Sequence, residues 1–493
     1  MHKCRGIHKG TGMENSKQID AIVIGAGLGG LLTAAQLLTL GKRVVVLERL
    51  PHSGGRFTAK NFRGVQVSTG AVHMVPFGSR GVLSQMLSRL HVSHRLIDAD
   101  VFGSFHVHGR QYHSRGLLGV FKFLGPYQAF WFLRIGYLMF FRPLPRDEHM
   151  LPFDRWLERH IPIERNPQLI AFFQSISRFA LSLELSQVST AEVIRTTKNM
   201  LRYGPPAIVQ GGCGELTKQL EATIINLGGK IRHAYEVLQI LHEDGSVVGV
   251  RGRHKASSEE EVFIAPLVVS DIGPRATSAL LHNRRITQSD VLAQINNQAD
   301  DRTEQGEPGS VETEAIGLKV HVLSDISLIA HKGIMYCLDT KRIAGMVQPT
   351  NSDPSLAPDG KHLLISHQVI QSNNIVEERA LALADLRMLF GETFDTHCRV
   401  LTMGTYRGEW PVNRLAQGVD TSTQTSIHGL YLVGDAVKPP GYLMVEGVAQ
   451  SVNCLLDLLA ETDQKQEMAQ AGCKGRSRNV PMPPSRLNAI RWL

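Results

Sequence analysis

Near the start of the chain, two short apolar runs flank a glycine-rich turn and a longer apolar stretch, a pattern typical of a β-α-β unit. Residues 20–24 are rich in β-branched side chains and predict a strand. The stretch Gly29–Leu40 predicts a helix that ends at Gly41, because glycine is common just past helix C-termini. Arg43–Glu48 predicts a second strand, whose continuous apolar interior is expected of a parallel strand covered on both faces.

Similar apolar, glycine-bounded runs return near residues 247–270 and near 429–434. We therefore predict an α/β fold: a Rossmann-type dinucleotide-binding domain built from separated segments, with an interleaved α+β substrate domain. The predicted boundaries are 18–85, 205–285 and 395–462 for the dinucleotide-binding domain, and 86–204 and 286–394 for the substrate domain. Residues 1–17 are predicted to be a disordered extension and 463–493 a disordered basic tail.

The segment 127–141 is aromatic-rich and apolar on nearly every side, and it is flanked by Lys122, Arg142 and Arg146. Its length of about 15 residues is too short to cross a bilayer. Two interpretations remain open, since apolarity alone does not separate them: a helix that lies in a membrane interface, or a buried core helix. The first interpretation predicts peripheral association with a membrane.

The formal net charge of +8 is carried by the two ends of the chain. Residues 1–19 hold four Lys and Arg against one acidic residue, and residues 464–493 hold six against one. The remaining chain has 43 basic and 43 acidic residues, so a basic groove for nucleic acid is not expected.

The six cysteines show neither a CxxC pair nor a spacing typical of metal ligands, so we expect no metal site. A reducing compartment is favoured, and we expect a cytoplasmic protein that associates at most peripherally with a membrane. The sequence shows no Ser-His-Asp arrangement typical of nucleophilic catalysis either. A cofactor is therefore expected to carry the chemistry.

The turn Gly25-x-Gly27-x-x-Gly30 has a physical requirement at each glycine. Gly25 permits the tight turn out of the strand, Gly27 lets the backbone approach a pyrophosphate, and Gly30 lets helix and strand pack closely. Leu28 and Gly29 open the helix, whose N-terminus attracts anions through its unpaired N–H groups and its dipole. This turn predicts a dinucleotide site.

FAD-binding and NAD-binding proteins both use such a unit, so residues further along the chain must distinguish the two cofactors. Glu48 lies 18 residues after the last glycine of the turn, near the spacing of about 20 for a ribose-binding carboxylate. Gly55 lets the chain pass close to a ligand, and Arg56 can contact a phosphate bidentately. Asp435 follows a second apolar strand, where its carboxylate can accept hydrogen bonds from ribityl hydroxyls that NAD lacks. A helix starting near Val445 would direct its N-terminus at the flavin and stabilise negative charge there.

In this order, the motifs resemble those of the FAD-dependent amine-oxidase superfamily, and within it most of all phytoene desaturases and carotenoid isomerases. Other segments similar to that group are 210–216, 228–237, 268–271 and 439–448, so the resemblance covers most of residues 18–462. It implies that Val237 meets the adenine through its backbone and that residues 439–448 border the flavin ring. The expected FAD contacts are Gly25, Gly27, Leu28, Gly29, Gly30, Glu48, Arg49, Gly55, Arg56, Val237, Gly434, Asp435 and Val445.

Two side chains are candidates for a catalytic role beside the flavin, His73 and Tyr442. For His73, a structural role is the alternative. Tyr442 is the one aromatic ring in the segment 439–448, which lacks the paired aromatic cage of an amine oxidase.

The leading hypothesis is an FAD-dependent oxidoreductase that desaturates or isomerises a long, apolar isoprenoid of the carotenoid type. In such an enzyme the flavin accepts a hydride from an allylic C–H, while the protein orients the hydrocarbon. An alternative on the same scaffold is an amine oxidase or a protoporphyrinogen oxidase-like enzyme, which would need a more polar pocket. A more distant alternative is a non-enzymatic escort that resembles the GDP-dissociation inhibitors of prenylated GTPases.

Overall fold

The computed structural model describes residues 19–70, 72–113, 116–282, 317–372, 374–406 and 421–474, so the predicted extension 1–17 lies outside the described residues. The strands are β1 (Ala21–Ile24), β2 (Val44–Leu47), β3 (Ala59–Phe62), β4 (Val65–Ser68), β5 (Met74–Val75), β6 (Leu96–Asp98), β7 (Gly103–Val107), β8 (Arg110–His113), β9 (Ala207–Val209), β10 (Lys230–Arg232), β11 (Tyr235–Glu243), β12 (Ser246–His254), β13 (Glu261–Ile264), β14 (Leu267–Ser270), β15 (Gly317–Ser324), β16 (Ile334–Cys337), β17 (Ile343–Val347), β18 (His362–Val369), β19 (Cys398–Tyr406) and β20 (Leu430–Leu432). The helices are α1 (Leu28–Thr39), α2 (Val82–Arg89), α3 (Gly116–Phe141), α4 (Phe153–His160), α5 (Pro167–Ala180), α6 (Thr190–Tyr203), α7 (Gly212–Asn226), α8 (Pro274–Leu281), α9 (Ile375–Phe390), α10 (Glu392–His397) and α11 (Met444–Lys474).

Five parallel strands form the dinucleotide-binding sheet, in the order β10-β2-β1-β14-β20. The strands β1, β2, β14 and β20 are buried along their whole length. They are buried because α1, α7 and α11 pack on one face of the sheet, while β11, β12 and α8 cover the other. Strands from all three predicted segments meet in this sheet. The prediction of a Rossmann-type domain assembled from separated segments is therefore confirmed.

The substrate domain is built on a seven-stranded sheet in the order β19-β15-β18-β17-β16-β7-β8. Most of its neighbouring strands are antiparallel, and β16 and β7 form a parallel pair. The helix α5 packs against β16, β17 and β18, and side chains of α9 join the apolar cluster formed by β15, β16 and β18. This is the interleaved α+β substrate domain that the sequence predicts.

Two of the predicted boundaries lie elsewhere in the structure. The strand β19 pairs with β15 of the substrate sheet, so the last dinucleotide-binding segment begins after Tyr406 and not at residue 395. The strand β6 pairs with β9, so the first segment extends past residue 85. The local pattern of apolar residues is the same for a strand of either domain, and only pairing with distant strands decides which sheet it joins.

The helix α3, which contains the segment 127–141, is broken at Gly125, where φ is 68° and ψ is 170°. Pro126 follows this break. Proline has no backbone N–H, so it cannot donate the hydrogen bond that would continue the preceding helix. After the break, one face packs into the core through Ala129, Ile135 and Met139. The opposite face leaves a set of large apolar side chains exposed, namely Tyr127, Phe130, Leu133, Tyr137 and Phe141. One face of this helix is therefore core, as the second interpretation predicts, while binding of the exposed face to a membrane stays a prediction.

The C-terminal helix α11 continues to Lys474. The prediction of a disordered tail from residue 463 is therefore wrong for residues 463–474, and residues 475–493 lie outside the described residues. The added turns are rich in Gln, Glu, Lys and Ala, which favour helix formation. Among the helices that the structure describes, none is both long enough and apolar enough to cross a membrane.

Candidate dinucleotide site

Three acidic residues meet at one edge of the parallel sheet. Glu48 and Asp271 directly follow β2 and β14, and Asp435 lies three residues beyond β20. The carboxyl ends of parallel strands lie on the same side of a sheet, where ligands bind in such folds. The charges of Asp435 and Glu48 both act to raise the pKa of Asp271. The sequence predicts two members of this group, and the structure adds Asp271.

Two glycine turns, residues 25–30 and 54–55, lie against each other. The N–H of Gly54 donates to the carbonyl oxygen of Ala26 at 2.7 Å. A Cβ atom on Gly55 would lie 3.7 Å from the Cα atom of Gly27. Gly54 and Gly55 both have positive φ, which glycine adopts without strain. The second turn therefore forms a wall of the same cleft as the first.

Glu48 is buried at the base of the first glycine turn. Its Oε2 accepts a hydrogen bond from the N–H of Ala26 at 2.6 Å, and its Oε1 accepts one from the N–H of Leu50 at 2.7 Å. Each carboxylate oxygen has two lone pairs, so Glu48 retains the capacity to accept bonds from ribose hydroxyls. Its role in ribose binding stays a prediction.

The carboxylate of Asp271 lies at the N-terminus of α1. Its Oδ2 accepts a hydrogen bond from the N–H of Gly30 at 2.8 Å. Burial raises the pKa of Asp271 to about 7, and the two neighbouring carboxylates act in the same direction. The glycines on which an added Cβ atom would collide with this carboxylate are Gly27, Gly29 and Gly434. These glycines therefore make room for Asp271 as well as for a ligand.

Asp435 pairs with two cations. The Nη2 atom of Arg56 lies 2.9 Å from its Oδ2, and Nζ of Lys438 pairs with its Oδ1. The side chain of Lys438 is only 1% exposed. Its methylene groups pack closely on Gly447, where an added Cβ atom would lie 2.6 Å from the Cδ atom of Lys438. This arrangement joins the second glycine turn, the end of β20 and the first turn of α11 in one site.

The other predicted contacts lie around this cleft. Leu28 is the first residue of α1 and Val445 the second of α11, and both are buried. Val237 lies on β11, two residues after Tyr235, whose N–H donates to the carbonyl oxygen of Glu48 at 2.8 Å. The side chain of Arg49, next to Glu48 in the sequence, is exposed. Their contacts with a cofactor stay predictions.

His73 is fully buried, and backbone groups engage both of its ring nitrogens. Its Nε2–H donates to the carbonyl oxygen of Gln66 at 2.7 Å, and its Nδ1 accepts from the N–H of Cys213 at 3.1 Å. Burial lowers the pKa of His73 to about 4, so the ring is neutral at physiological pH. This geometry supports the structural alternative, in which His73 fixes the start of α7.

Tyr442 belongs to a cluster of three rings. Its ring centroid lies 6.2 Å from that of Phe77, which stacks on Tyr203 at 5.1 Å. Burial raises the pKa of Tyr442 to about 12, and Tyr203 adds to the effect. Phe77 is fully buried, while Tyr203 and Tyr442 are half-buried against it.

Lys319 is a buried lysine on β15 that the sequence analysis did not identify. It lies opposite His367 in the neighbouring strand β18. Burial lowers the pKa of Lys319 to about 7; Cys213 opposes this shift and Arg56 adds to it. A titratable amine in this position is available for proton transfer near neutral pH.

Two of the missed residues leave a signal in the sequence. Asp271 directly follows an apolar strand, which is the pattern that identifies Glu48. Lys319 interrupts the otherwise apolar start of β15. Lys438 has no comparable signal, because its burial depends on packing against α11.

Comparisons with known proteins identify the scaffold. A family model described as an NAD(P)-binding Rossmann-like domain matches residues 23–90. The chain is similar to an oxidoreductase from Methanosarcina mazei, with 32% identity and a TM-score of 0.75, over 89% of this chain and 100% of that one. It is also 31% identical to an uncharacterized protein of Methanocaldococcus jannaschii over 434 residues, which are 87% of this chain and 96% of that one. A structure of putrescine oxidase shares the fold, with a TM-score of 0.61 at 14% identity over 90% and 99% of the two chains.

The chain belongs to the same oxidoreductase family as the Methanosarcina mazei protein. The chain is also similar to prolycopene isomerase 2 of an Oncidium hybrid cultivar, with 25% identity over 519 aligned positions, covering 87% of this chain and 81% of that protein.

The cleft offers groups that could hold a dinucleotide, in line with the Rossmann-like domain matched over residues 23–90. Gly27, Gly29 and Gly434 leave room for the carboxylate of Asp271 beside the helix N-terminus. The helix N-terminus and Arg56 can both attract a pyrophosphate. Glu48 and Asp435 offer acceptors for hydroxyl groups at two ends of the sheet edge. The charge and the hydrogen-bonding groups of the cleft therefore suit a dinucleotide.

Proposed function

We propose that the protein binds FAD and desaturates or isomerises a long, apolar isoprenoid of the carotenoid type. The observation that carries the cofactor assignment is the position of Asp435, held by Arg56 beside the two glycine turns. A carboxylate there can accept hydrogen bonds from the hydroxyls of a ribityl chain, which a nicotinamide dinucleotide does not contain. The adjacent start of α11 supports the same assignment, since its dipole favours negative charge on a reduced flavin.

Each part of the cleft has a role toward the cofactor. The turn 25–30 and the N-terminus of α1 would hold the pyrophosphate, and Glu48 would hold the adenosine ribose. Asp435 would hold the ribityl chain, and the first turn of α11 would face the pyrimidine edge of the ring. Bound FAD would supply an acceptor for an allylic hydride, or a reduced ring that assists double-bond isomerisation.

The residues of the chain itself orient the substrate, exclude water and hold a proton. Burial of Lys319 lowers its pKa to about 7, so that Nζ can hold or release a proton near neutral pH. The buried imidazole of His321, fixed through Nε2 to Oγ of Ser68 at 3.0 Å, lies two residues along the same strand. Two residues of the neighbouring strand β18, Leu363 and Ile365, belong to the apolar core of the substrate domain. This apolar surrounding favours a substrate without charged groups.

The substrate class is supported by the likeness to prolycopene isomerases over 87% of this chain. The exposed face of α3 supports it in a second way, because a long polyene resides in a lipid phase. We infer that this face docks on an anionic lipid surface. Its apolar side chains are rimmed by the exposed cations Lys122, Arg134 and Arg142, which complement negatively charged headgroups.

The proposed activity can be tested with the purified, flavin-loaded protein under anaerobic conditions. Linear polyenes in liposomes and, separately, a panel of primary amines are added, and the flavin absorbance is followed while polyene products are separated by chromatography. We expect a changed polyene and no bleaching by amines. Bleaching by an amine, with every polyene unchanged, would assign the protein to the amine oxidases instead.

A further inference from the structure

We propose that Asp271 binds the pyrophosphate of the cofactor as a neutral carboxylic acid, so that FAD binding is coupled to the uptake of one proton by this side chain. The inference rests on the proposed FAD cofactor. It deepens that proposal by assigning a role to a residue that the dinucleotide motif does not include.

The carboxylate of Asp271 already lies where an anion is expected to bind. Its Oδ2 accepts from the N–H of Gly30, the third residue of α1, at 2.8 Å. Added Cβ atoms at three glycines would collide with it, and these belong to the first glycine turn and to the end of β20. A pyrophosphate on the same helix N-terminus must therefore lie beside this side chain.

Two ionised groups cannot share this position without a large electrostatic cost. An ionised Asp271 would repel the pyrophosphate, and the low dielectric of the cleft would strengthen the repulsion. A protonated Asp271 can donate a hydrogen bond from one oxygen to a phosphoryl oxygen, while the other still accepts from Gly30. Binding therefore favours the protonated form.

The surroundings of Asp271 already favour protonation before any cofactor binds. Burial raises its pKa to about 7, and the carboxylates of Asp435 and Glu48 act in the same direction. The bond from Gly30 and the charge of Arg56 oppose this shift. Because the side chain loses its proton above about pH 7, FAD affinity should fall as the pH rises through this range.

Other titratable groups border the second glycine turn. The imidazole of His233 bonds through Nε2 to Oγ of Ser53 at 2.9 Å and also lies 3.1 Å from Oε1 of Glu221. His52 lies next to the same serine. Asp271→Asn separates their effect from that of Asp271, since both histidines remain in this variant. Its amide is neutral at every pH, accepts from Gly30 and donates to a phosphoryl oxygen.

The experiment measures the dissociation constant of FAD for the full-length protein, stripped of flavin by dialysis, through flavin fluorescence at pH 6.0, 7.0, 8.0 and 8.5. For the natural protein we expect the constant to rise about tenfold per pH unit above pH 7. For Asp271→Asn we expect it to stay within about twofold across the range. Asp20→Asn, at the opposite end of β1, is the control and should keep the natural slope.

The outcomes distinguish this inference from the cofactor assignment. Absence of FAD binding even at pH 6 would contradict the proposed function. Binding that does not change from pH 6 to 8.5 in the natural protein would overturn the role of Asp271. This outcome is measured on the natural protein alone, so it does not depend on whether a variant folds. The same slope in Asp271→Asn would also overturn it, because another group would then take up the proton.

Discussion

The Nη2 atom of Arg56 lies 2.9 Å from Oδ2 of Asp435, although 379 residues separate them in the sequence. This ion pair closes the cleft between the first β-α-β unit and the last strand of the parallel sheet. It brings the predicted phosphate-binding cation and the predicted ribityl-binding carboxylate into direct contact. Cofactor binding should therefore depend on both ends of the chain together.

Replacing Asp435 tests this arrangement. Asp435→Ala removes charge-assisted hydrogen bonds of about 1.5–3 kcal/mol each and takes a counter-charge from the buried Lys438. We expect FAD affinity to fall at least tenfold and the thermal midpoint to drop, measured by flavin fluorescence and a thermal scan. Asp457→Ala, at an exposed position of α11, is the control. Full FAD occupancy in Asp435→Ala would leave Asp435 with a structural role only.

Replacing Gly27 tests the steric role of the first glycine turn. The backbone of Gly27 has φ of −68°, which alanine tolerates, so the conflict in Gly27→Ala is the collision of Cβ with the carboxylate of Asp271. We expect a lower thermal midpoint and loss of bound flavin. In Gly136→Ala, the added Cβ meets no atom within 4 Å, so this control should be neutral or stabilised by up to about 1 kcal/mol.

A double variant tests whether the carboxylate of Asp271 is the group with which the Cβ atom of Gly27→Ala collides. If Asp271 causes the collision, Asp271→Ala added to Gly27→Ala should recover part of the lost thermal stability. A thermal midpoint of Gly27→Ala equal to that of the natural protein would show that the turn has room for a side chain.

The exposed face of α3 predicts binding to anionic liposomes. Tyr137 is 62% exposed and Phe141 76%, so changing both to Ser should reduce co-flotation with liposomes while leaving the fold and bound flavin unchanged. Phe62→Ser, at an exposed ring outside α3, is the matched control. Equal binding of the double variant and the control would contradict the assignment of this face to lipid.

Lys319 predicts a pH dependence of stability. Burial lowers its pKa in the folded protein to about 7 from the ordinary 10.5. Between these values the unfolded chain binds a proton that the folded protein has released, so the free energy of unfolding should rise with pH. Below about pH 7 the folded protein also carries the charge on Lys319, and the cost of burying that charge lowers the free energy of unfolding by its full amount.

The corresponding variant is Lys319→Met, compared with Lys255→Met at an exposed position. We expect Lys319→Met to raise the thermal midpoint at pH 7 and to flatten its rise between pH 7 and 9, while substrate turnover falls. A lower midpoint at pH 7 would show that the charged amine stabilises the fold.

Local patterns were sufficient to predict the first β-α-β unit, because the β-branched strand, the glycine turn and the helix C-cap each depend on neighbouring residues. They were not sufficient for the strand β19, which was assigned to the wrong domain. The local sequence of β19 does not show which sheet the strand joins, and only its pairing with β15 places it in the substrate sheet. The break in α3 did have a local signal in Gly125-Pro126, since proline cannot donate a helical hydrogen bond.

The sequence by itself determined the glycine turn, the carboxylates that follow apolar strands, and the separated segments of the Rossmann-type domain. Each of these depends on backbone conformation and hydrophobic period over a few residues, which neighbouring side chains encode. Only the tertiary structure decided that Glu48, Asp271 and Asp435 share one sheet edge, that Lys319 is buried, and which face of α3 remains exposed. These properties depend on how segments hundreds of residues apart pack together, and burial and electrostatic interaction are set by that packing.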